Sequence, residues 1–258
     1  NINFNFYLKI IEDELPQVKF TSNPEVVNGV SLKFLTDAED DYGLVNANVS
    51  FSKPKDFEHF IENQVTYDLQ VSKDKNNRIL KSLFFKNMSS HIWAGNKSNL
   101  NVSVYDDLNQ KGIVAREIVI PKKEFTSSIA KKIYRVRSDL AKRRITLYEA
   151  NQIIDKSIPG NEALYGDELI KEKYAKVTSM LNELKELPLS YKSSLYKDLW
   201  DLALVIEEGK LFSAKSNLEQ IEQNLFDSIN QRETDKISTN VEKFKESVQS
   251  LLDINNEE

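Results

Sequence analysis

Two hydrophobic periods divide the chain near Pro121. In the first part, β-branched and aromatic residues alternate with polar residues, as they do in strands that bury one face. In the second part, apolar residues recur every three or four positions, which is the period of an amphipathic helix. The pattern therefore predicts a mixed fold with separate all-β and all-α parts, the β part coming first.

Seven short strands are predicted before Pro121. Their number and spacing favour an immunoglobulin-like β-sandwich over residues 15–121. Turn sequences support this interpretation, since Asn28-Gly29 and Asp41-Tyr42-Gly43 each stand between predicted strands. The predicted strands cover residues 17–20, 30–36, 44–51, 65–71, 79–85, 100–105 and 113–120.

A further alternating stretch precedes the sandwich. Its apolar positions run from Phe4 to Ile10, and the acidic run Glu12-Asp13-Glu14 follows. We interpret residues 1–14 as the last strand of a preceding, truncated β domain. A first strand of the same sandwich explains the alternation equally well.

Residues 125–258 are predicted to form an antiparallel bundle of four to six helices, because short connections make neighbouring helices run antiparallel. Thr126 or Ser127 can cap the first helix. We expect the last three helices to form an up-down-up unit and Trp200 to pack between helices rather than stack on a ligand. These helices are predicted at Tyr191–Glu208, Leu211–Asn230 and Thr234–Leu252.

The composition of the chain excludes several classes of chemical activity. The chain has 258 residues, of which 40% are hydrophobic, with a formal net charge of −5, no cysteine and two histidines. This hydrophobic content argues against wholesale disorder, and the lack of thiols excludes disulfides and thiolate metal sites. Neither His59 nor His91 accompanies a Gly-x-Ser-x-Gly elbow, and no glycine-rich phosphate loop occurs. We therefore predict no enzyme activity, no cofactor and no small-molecule substrate.

Two acidic loops are the first candidate for binding. In an immunoglobulin-like sandwich, the loop with Asp40, Asp41 and Tyr42 and the loop with Asp106 and Asp107 emerge at the same end. Oxygen ligands of this kind suit calcium. Turns also favour Asp for conformational reasons, and no EF-hand spacing occurs. We therefore predict a binding end without a metal, and calcium stays an open alternative.

The loop that contains His91 and Trp93 is grouped with this binding end. A structural or partner-facing histidine is the simpler interpretation of His91, because no second basic or thiol group accompanies it. An alternative function, as a cell-wall glycan-binding module or wall-directed enzyme, would use Trp93 with nearby carboxylates. That function requires a concave site with two acids about 5–10 Å apart.

Basic residues crowd the first predicted helix. Such a helix can lie against anionic headgroups or an acidic partner, whereas an ordinary solvated face is the simpler interpretation. Nucleic acid is not expected as a partner, because the net charge is negative and aromatic residues are sparse in this stretch. The residues proposed for binding are Lys131, Lys132, Arg135, Arg143 and Arg144.

Three groups of motifs occur in order along the chain. They are Leu15–Val18 with Glu39–Val45, His91–Gly95 with Val104–Asp107, and Leu199–Gly209, extended by Ile120-Pro121 and Phe125. Together they resemble the bacterial domain-of-unknown-function family 4175 over nearly the whole chain. The chain departs from that family in being rich in Lys and Asn where its members are rich in Arg and Ala.

The resemblance implies a large inner-membrane protein whose long periplasmic part contains this chain. No apolar run here approaches the roughly 18–20 residues of a membrane-spanning helix, so we expect anchoring through segments outside the chain. The family supplies no catalytic residues. We therefore expect a noncatalytic scaffold or interaction adaptor at the periplasmic face of the inner membrane, with another envelope protein or a second copy as partner.

Overall fold

The computed structural model describes residues 12–57, 60, 62–70, 79–159, 166–183, 189–230 and 234–257. Its sheets precede its helices, so the predicted mixed fold is confirmed. Two compact units divide between Lys123 and Glu124. The strand predicted within residues 1–14 falls on residues 1–11, which lie outside the described residues.

All seven predicted strands are present in the first unit, with ends shifted by a few residues. An eighth strand, β2, was not predicted because three residues are too few to show alternation and Pro24 directly precedes them. The strands are β1 (Gln17–Phe20), β2 (Glu25–Val27), β3 (Ser31–Glu39), β4 (Leu44–Ser52), β5 (Gln64–Leu69), β6 (Ile79–Asn87), β7 (Lys97–Asp106) and β8 (Lys111–Val119).

The strands form two antiparallel sheets of four. In the first sheet, β1 and β2 pair with successive parts of β3 on one side, and β6 pairs with β3 on the other. The second sheet has the order β5-β4-β7-β8. Inward-facing rings join the two sheets: Phe34 stacks on Phe84 at 4.9 Å between centroids, and Phe51 lies 6.0 Å from Phe84. This arrangement is an immunoglobulin-like sandwich.

Strand pairing sorts the loops between the two ends of the sandwich. Leu44 pairs with Asp106, so the β3–β4 and β7–β8 loops lie at one end. Ser31 pairs with Asn87, so the β6–β7 loop lies at the other end. The length of β3, nine residues or roughly 26 Å, separates the two ends.

Six helices occur in the described part of the second unit. The helix α4 packs chiefly against α1 and α3, while α5 pairs with α6. The predicted three-helix unit is therefore only partly correct: its last two helices pair, but its first helix belongs with the helices before it. The helices are α1 (Ser128–Ala141), α2 (Leu147–Ser157), α3 (Glu168–Glu183), α4 (Leu189–Glu208), α5 (Lys210–Asn230) and α6 (Thr234–Glu257).

Polar side chains fix the antiparallel pairing of α5 and α6. The Asn240 amide donates to Ser228 Oγ at 2.7 Å, and the Asn217 amide donates to Ser247 Oγ at 3.4 Å. Both serines are buried. Because buried polar groups need partners, these contacts fix the register of the two helices.

The start of α1 is held by its own cap and by the end of α4. Ser127 Oγ accepts a hydrogen bond from the Ala130 N–H, which confirms the predicted cap. The Glu207 carboxylate accepts from the Thr126 and Ser127 N–H groups at 2.7 and 2.9 Å. A negative charge is favourable here because a helix N terminus carries partial positive charge.

The end of α1 supplies a stability prediction. Arg143 has φ +54°, and its N–H and that of Arg144 bond back to the carbonyls of Leu140 and Asp139, as in a Schellman motif. Such a left-handed residue costs about 1–2 kcal/mol unless it is glycine. We expect Arg143→Gly to raise the free energy of unfolding of the helical unit by about 0.5–1 kcal/mol, since glycine's extra unfolded-state entropy offsets part of the gain.

Urea denaturation followed by far-UV circular dichroism measures this effect. The matched control is Lys142→Gly, because Lys142 has φ −90° and glycine brings no conformational relief there. It is expected to lower stability by about 0.5–1 kcal/mol. Equal effects of the two substitutions would contradict the account of this helix end.

Among the described residues, no helix combines the length and the apolar character needed to cross a bilayer.

Candidate functional site

Four aspartates meet at one end of the sandwich. Asp40 and Asp41 lie in the β3–β4 loop, Asp106 ends β7, and Asp13 lies in the segment that leads into β1. Asp40 Oδ2 accepts from the N–H groups of Tyr42 and Gly43 at 3.1 and 2.6 Å, which holds the loop in a tight turn. We call these four aspartates the acidic cluster.

Hydrogen bonds to Gln110 connect two members of the cluster. The backbone N–H of Gln110 donates to Asp106 Oδ1 at 2.7 Å, and its side-chain amide donates to Asp13 Oδ2 at 2.5 Å. The β7–β8 loop thereby positions both carboxylates. Asp13 is the member that sequence reasoning missed, because the acidic run at 12–14 was assigned to a preceding domain.

The electrostatics of the cluster are unfavourable. Desolvation raises the pKa of Asp13 above its ordinary value, and the charges of Asp41, Asp106 and Asp40 raise it further, whereas the Gln110 hydrogen bond lowers it. Each member also has one buried carboxylate oxygen without a hydrogen-bond partner. Buried oxygens without hydrogen-bond partners carry a desolvation cost, and like charges at short range repel one another.

The other two loop residues predicted at this end are more exposed. The Tyr42 side chain is 57% exposed, and Asp107 is also exposed. Both therefore face solvent beside the acidic cluster and present a phenol and a carboxylate to any partner that approaches this end.

His91 and Trp93 lie at the opposite end of the sandwich, in the β6–β7 loop, and not beside the acidic loops. Trp93 is only 1% exposed, and its ring lies 4.9 Å from that of His91 and 6.5 Å from that of Phe57. His91 Nδ1 accepts a hydrogen bond from the Trp93 N–H. The indole is therefore buried in the β unit rather than exposed for stacking on a sugar ring.

Hydrogen bonds join the β6–β7 loop to the end of β8. Gly95 N–H donates to the Ile120 carbonyl at 2.8 Å, and Ile120 N–H donates to the Asn96 carbonyl at 3.0 Å. The Asn96 amide donates in turn to the carbonyls of Trp93 and Ala94. The His91–Gly95 motif thus closes one end of the sandwich core.

The predicted basic residues do not all lie on one helix. Lys131, Lys132 and Arg135 are exposed on α1, whereas Arg143 and Arg144 follow the end of that helix. The Arg144 guanidinium lies 3.9 Å from the Asp139 carboxylate. Basic charge therefore extends from α1 into the turn that leads to α2.

An exposed apolar surface on the first sheet was not predicted as a site. Leu35 on β3 pairs with Leu83 on β6, and the two side chains are 43% and 56% exposed. Phe85 and Ile79, on the same face of β6, are 56% and 64% exposed. We call these four residues the apolar face. Alternation in the sequence indicates which residues share a face but does not say that both faces of a strand are apolar.

The motifs of the sequence analysis have structural roles in both units. In the helical unit, Trp200 is buried between the rings of Phe125 and Tyr134, as predicted, with ring centroids at 5.7 and 6.0 Å. Glu207 holds the start of α1, as described above. These motif residues thus build the core and the helix ends of the unit.

Fold and motifs together define a two-unit protein, an immunoglobulin-like sandwich followed by a helical unit. The chain belongs to the family described as Domain of unknown function (DUF4175), which matches residues 2–256. No curated protein matches the chain.

Proposed function

We propose that this chain is a noncatalytic protein-interaction module of a membrane-anchored envelope protein, acting at the periplasmic face of the inner membrane. In this proposal the anchor lies outside the 258 residues, and the sandwich serves as a scaffold or adaptor. The envelope assignment follows what the family resemblance implies about its members, and the apolar face is the observation that carries the interaction role.

The apolar face borders a strand edge that is open to pairing. Within the described residues, β6 pairs only with β3, although it is nine residues long. A long edge strand with exposed apolar side chains offers backbone donors and acceptors for an added strand. Exposed apolar patches of this kind mark interaction sites in many proteins.

One edge strand of the second sheet, β5, gives a contrast within the same molecule. The outward residues of β5 are Gln64, Thr66 and Asp68, which are polar. Unlike β5, β6 therefore combines an open edge with an apolar face. The occupant we propose is an extended segment of another envelope protein, which pairs with β6 and places apolar side chains on Leu83 and Phe85.

Charge on β6 adds a preference for the occupant. Lys81 and Lys86 are exposed on this strand, and the Lys86 ammonium lies 4.6 Å from the centroid of the Tyr67 ring. Acidic residues on the added segment would pair with these lysines. Backbone pairing supplies affinity, and the apolar and charged side chains supply specificity.

A substitution in the centre of the apolar face tests the proposal. Leu83→Lys is expected to reduce recovery of the partner from solubilised membranes by roughly tenfold, since burial of a charge opposes apolar contact. The matched control is Thr66→Lys on β5, which is expected to leave recovery unchanged. Quantitative mass spectrometry of the copurified proteins measures both. Equal recovery of every partner by wild type and Leu83→Lys would contradict the proposal.

A further inference from the structure

No apolar side chain described in the hairpin of α5 and α6 is fully buried. Among its described residues, the two buried ones are Ser228 and Ser247, and both are polar. The apolar side chains that recur at helical spacing are partly exposed, and α6 packs chiefly on α5. Helices gain most of their stability from covering such a stripe, so this hairpin leaves apolar surface uncovered. The stripes consist of Leu218, Ile221 and Leu225 on α5 and of Val241, Phe244, Val248 and Leu251 on α6.

Helical geometry puts both stripes on one side of the hairpin. At about 100° per residue, the stripe of α5 lies roughly 60–70° around the helix from Asn217 and Ser228, and the stripe of α6 lies equally far and in the same sense from Asn240 and Ser247. These four polar residues face the neighbouring helix, because hydrogen bonds join them across the pair. In antiparallel helices that face each other, equal rotations in the same sense lead to the same side. We call this side, with its two apolar stripes, the open helix face.

Exposed apolar side chains widen the open helix face at its margins. Phe226 and Ile229 on α5 are 59% and 53% exposed, and Leu252 on α6 is 51% exposed. By the same helical geometry, all three lie on the side of their stripe that points away from the neighbouring helix. A helix with one neighbour needs only one apolar stripe, so these residues indicate a second contact.

The size of the open helix face fits a protein interface. The helix α5 has 21 residues and α6 has 24. Each is therefore roughly 30–35 Å long, and two helices side by side are roughly 20 Å wide. Covering this face would remove roughly 600 Å² of surface from solvent on each partner, or roughly 1,200 Å² in total, which reaches the range of stable complexes. A single added helix would cover part of the face, whereas a second hairpin covers it all and completes a four-helix bundle.

The outer margins of the open helix face are complementary in charge. Glu219 and Glu222 lie on the outer margin of α5, and Lys245 lies on that of α6. The hydrogen bond between Asn217 and Ser247 sets the glutamates within one helical turn of the level of Lys245. When two hairpins stack face to face about a two-fold axis parallel to the helices, α5 of one copy lies over α6 of the other at an unchanged level. The glutamates of each copy then meet the lysine of the other, as flanking charges do in coiled coils.

We propose that the open helix face binds the same face of a second copy of this chain, and that the two hairpins form a four-helix bundle. The stripes of all four helices would form the core of the bundle. A two-fold interface is self-complementary, so each pair of margins would meet twice. This inference is independent of the apolar face on β6, and failure of either leaves the other standing. A dimer would present two β6 edges to a partner.

Sedimentation velocity of the 258-residue chain over a range of concentrations tests the dimer. We expect wild type to form a species with twice the mass of one chain. Val248→Lys, in the α6 stripe, is expected to raise the dimer dissociation constant by roughly hundredfold, because the dimer would bury the added charge twice. The matched control is Ser250→Lys, an exposed position on the opposite side of α6, which is expected to leave the constant within about twofold.

A second variant keeps the test decisive should Val248→Lys fail to fold. Leu252 is 51% exposed in the single chain, so its replacement leaves the packing of the hairpin intact. Leu252→Lys is expected to retain the circular dichroism spectrum of wild type and to raise the dissociation constant by about tenfold.

Crosslinking between introduced cysteines tests the arrangement of the bundle. The chain contains no cysteine, so the double variant Glu219→Cys with Lys245→Cys presents two unique thiols. In the bundle, these positions lie roughly 10 Å apart between copies, against roughly 16 Å within one hairpin. A bismaleimide with a reach of about 10 Å is therefore expected to give a covalent dimer. The control is Glu219→Cys alone, which is expected to give none, because the two copies of this position lie at opposite corners of the bundle.

Three outcomes would overturn the proposal. The first is a single species with the mass of one chain at about 100 μM, a concentration at which even a weak specific dimer is populated. The second is a dimer that Val248→Lys and Leu252→Lys both leave intact. The third is a dimer in which the double cysteine variant gives no covalent product, which would place the contact elsewhere.

Discussion

Replacing Trp200 with alanine is expected to lower the free energy of unfolding of the helical unit by about 3–5 kcal/mol. The indole is 7% exposed and fills the space between the rings of Phe125 and Tyr134. The Arg137 guanidinium also lies over it, 5.3 Å from the ring centroid. Truncation would leave a cavity and remove the aromatic surface that this buried cation contacts.

Because Arg137 lies against Trp200, the alanine variant is expected to lose more stability than the transfer free energy of the indole alone. Burial lowers the pKa of Arg137 to about 10, so the side chain stays charged at neutral pH. Its Nε–H donates to the Tyr196 carbonyl at 2.8 Å. The cation–π contact with Trp200 offsets part of the desolvation of this charge, and the alanine variant loses that contact.

Urea denaturation followed by circular dichroism at 222 nm reports mainly on the helices and measures the effect. The matched control is Tyr148→Ala on α2, where the aromatic side chain is 70% exposed. Its expected effect is within about 0.5 kcal/mol of zero. A loss for Trp200→Ala no greater than that of the control would show that Trp200 does not support this core.

Replacing Gly112 with alanine is expected to lower the free energy of unfolding of the β unit by roughly 1–3 kcal/mol or more. A Cβ at this position would lie 2.1 Å from the Pro16 carbonyl oxygen and 3.1 Å from Val104 Cγ2. The first of these atoms belongs to the backbone, which cannot rotate away as a flexible side chain does. The segment before β1 must therefore move, and Asp13 moves with it.

Fluorescence of Trp93 in a Trp200→Phe background follows unfolding of the β unit alone. The control is Gly29→Ala, because a Cβ at Gly29 meets no atom within 4 Å. The only expected loss of stability in Gly29→Ala is the backbone strain of a non-glycine residue at φ +72°, about 1 kcal/mol. An effect of Gly112→Ala smaller than that of Gly29→Ala would contradict the close approach of Pro16 to β8.

The sequence predicted the architecture well where one local rule decides the outcome. Alternation located seven strands, and the Asn28-Gly29 turn has the two positive φ values expected between strands. Helical spacing located α4, α5 and α6 nearly to their ends. The sequence could not predict which helices pack against α4, because an amphipathic stripe indicates a buried face but does not identify the helix that covers it.

The site was only partly predictable for a similar reason. Topology alone brought the Asp40 and Asp106 loops to one end. Asp13 was missed because it reaches the cluster through a tertiary contact with Gln110, which no spacing in the sequence encodes. His91 and Trp93 were grouped with these loops although strand pairing places them at the other end.

The exposure of the apolar face could not be predicted from the sequence for a different reason. Leu83-Phe84-Phe85 is a run of three apolar residues within β6. Apolar runs are typical of strands that are buried on both faces. The exposure of Leu83 and Phe85 follows from the two-layer fold, in which no described element of the β unit covers the outside of the first sheet. Such exposure is what makes this face a candidate for a partner.

The most direct test of the interaction role is in-cell photocrosslinking of the intact protein from a probe at Leu83, with identification of the product by mass spectrometry. The account predicts one reproducible envelope protein at Leu83, lost when Phe85→Lys is added, and no such product from a probe at Thr66. Capture of the same proteins from Leu83 and Thr66, or capture of the protein's own copies alone, would contradict it.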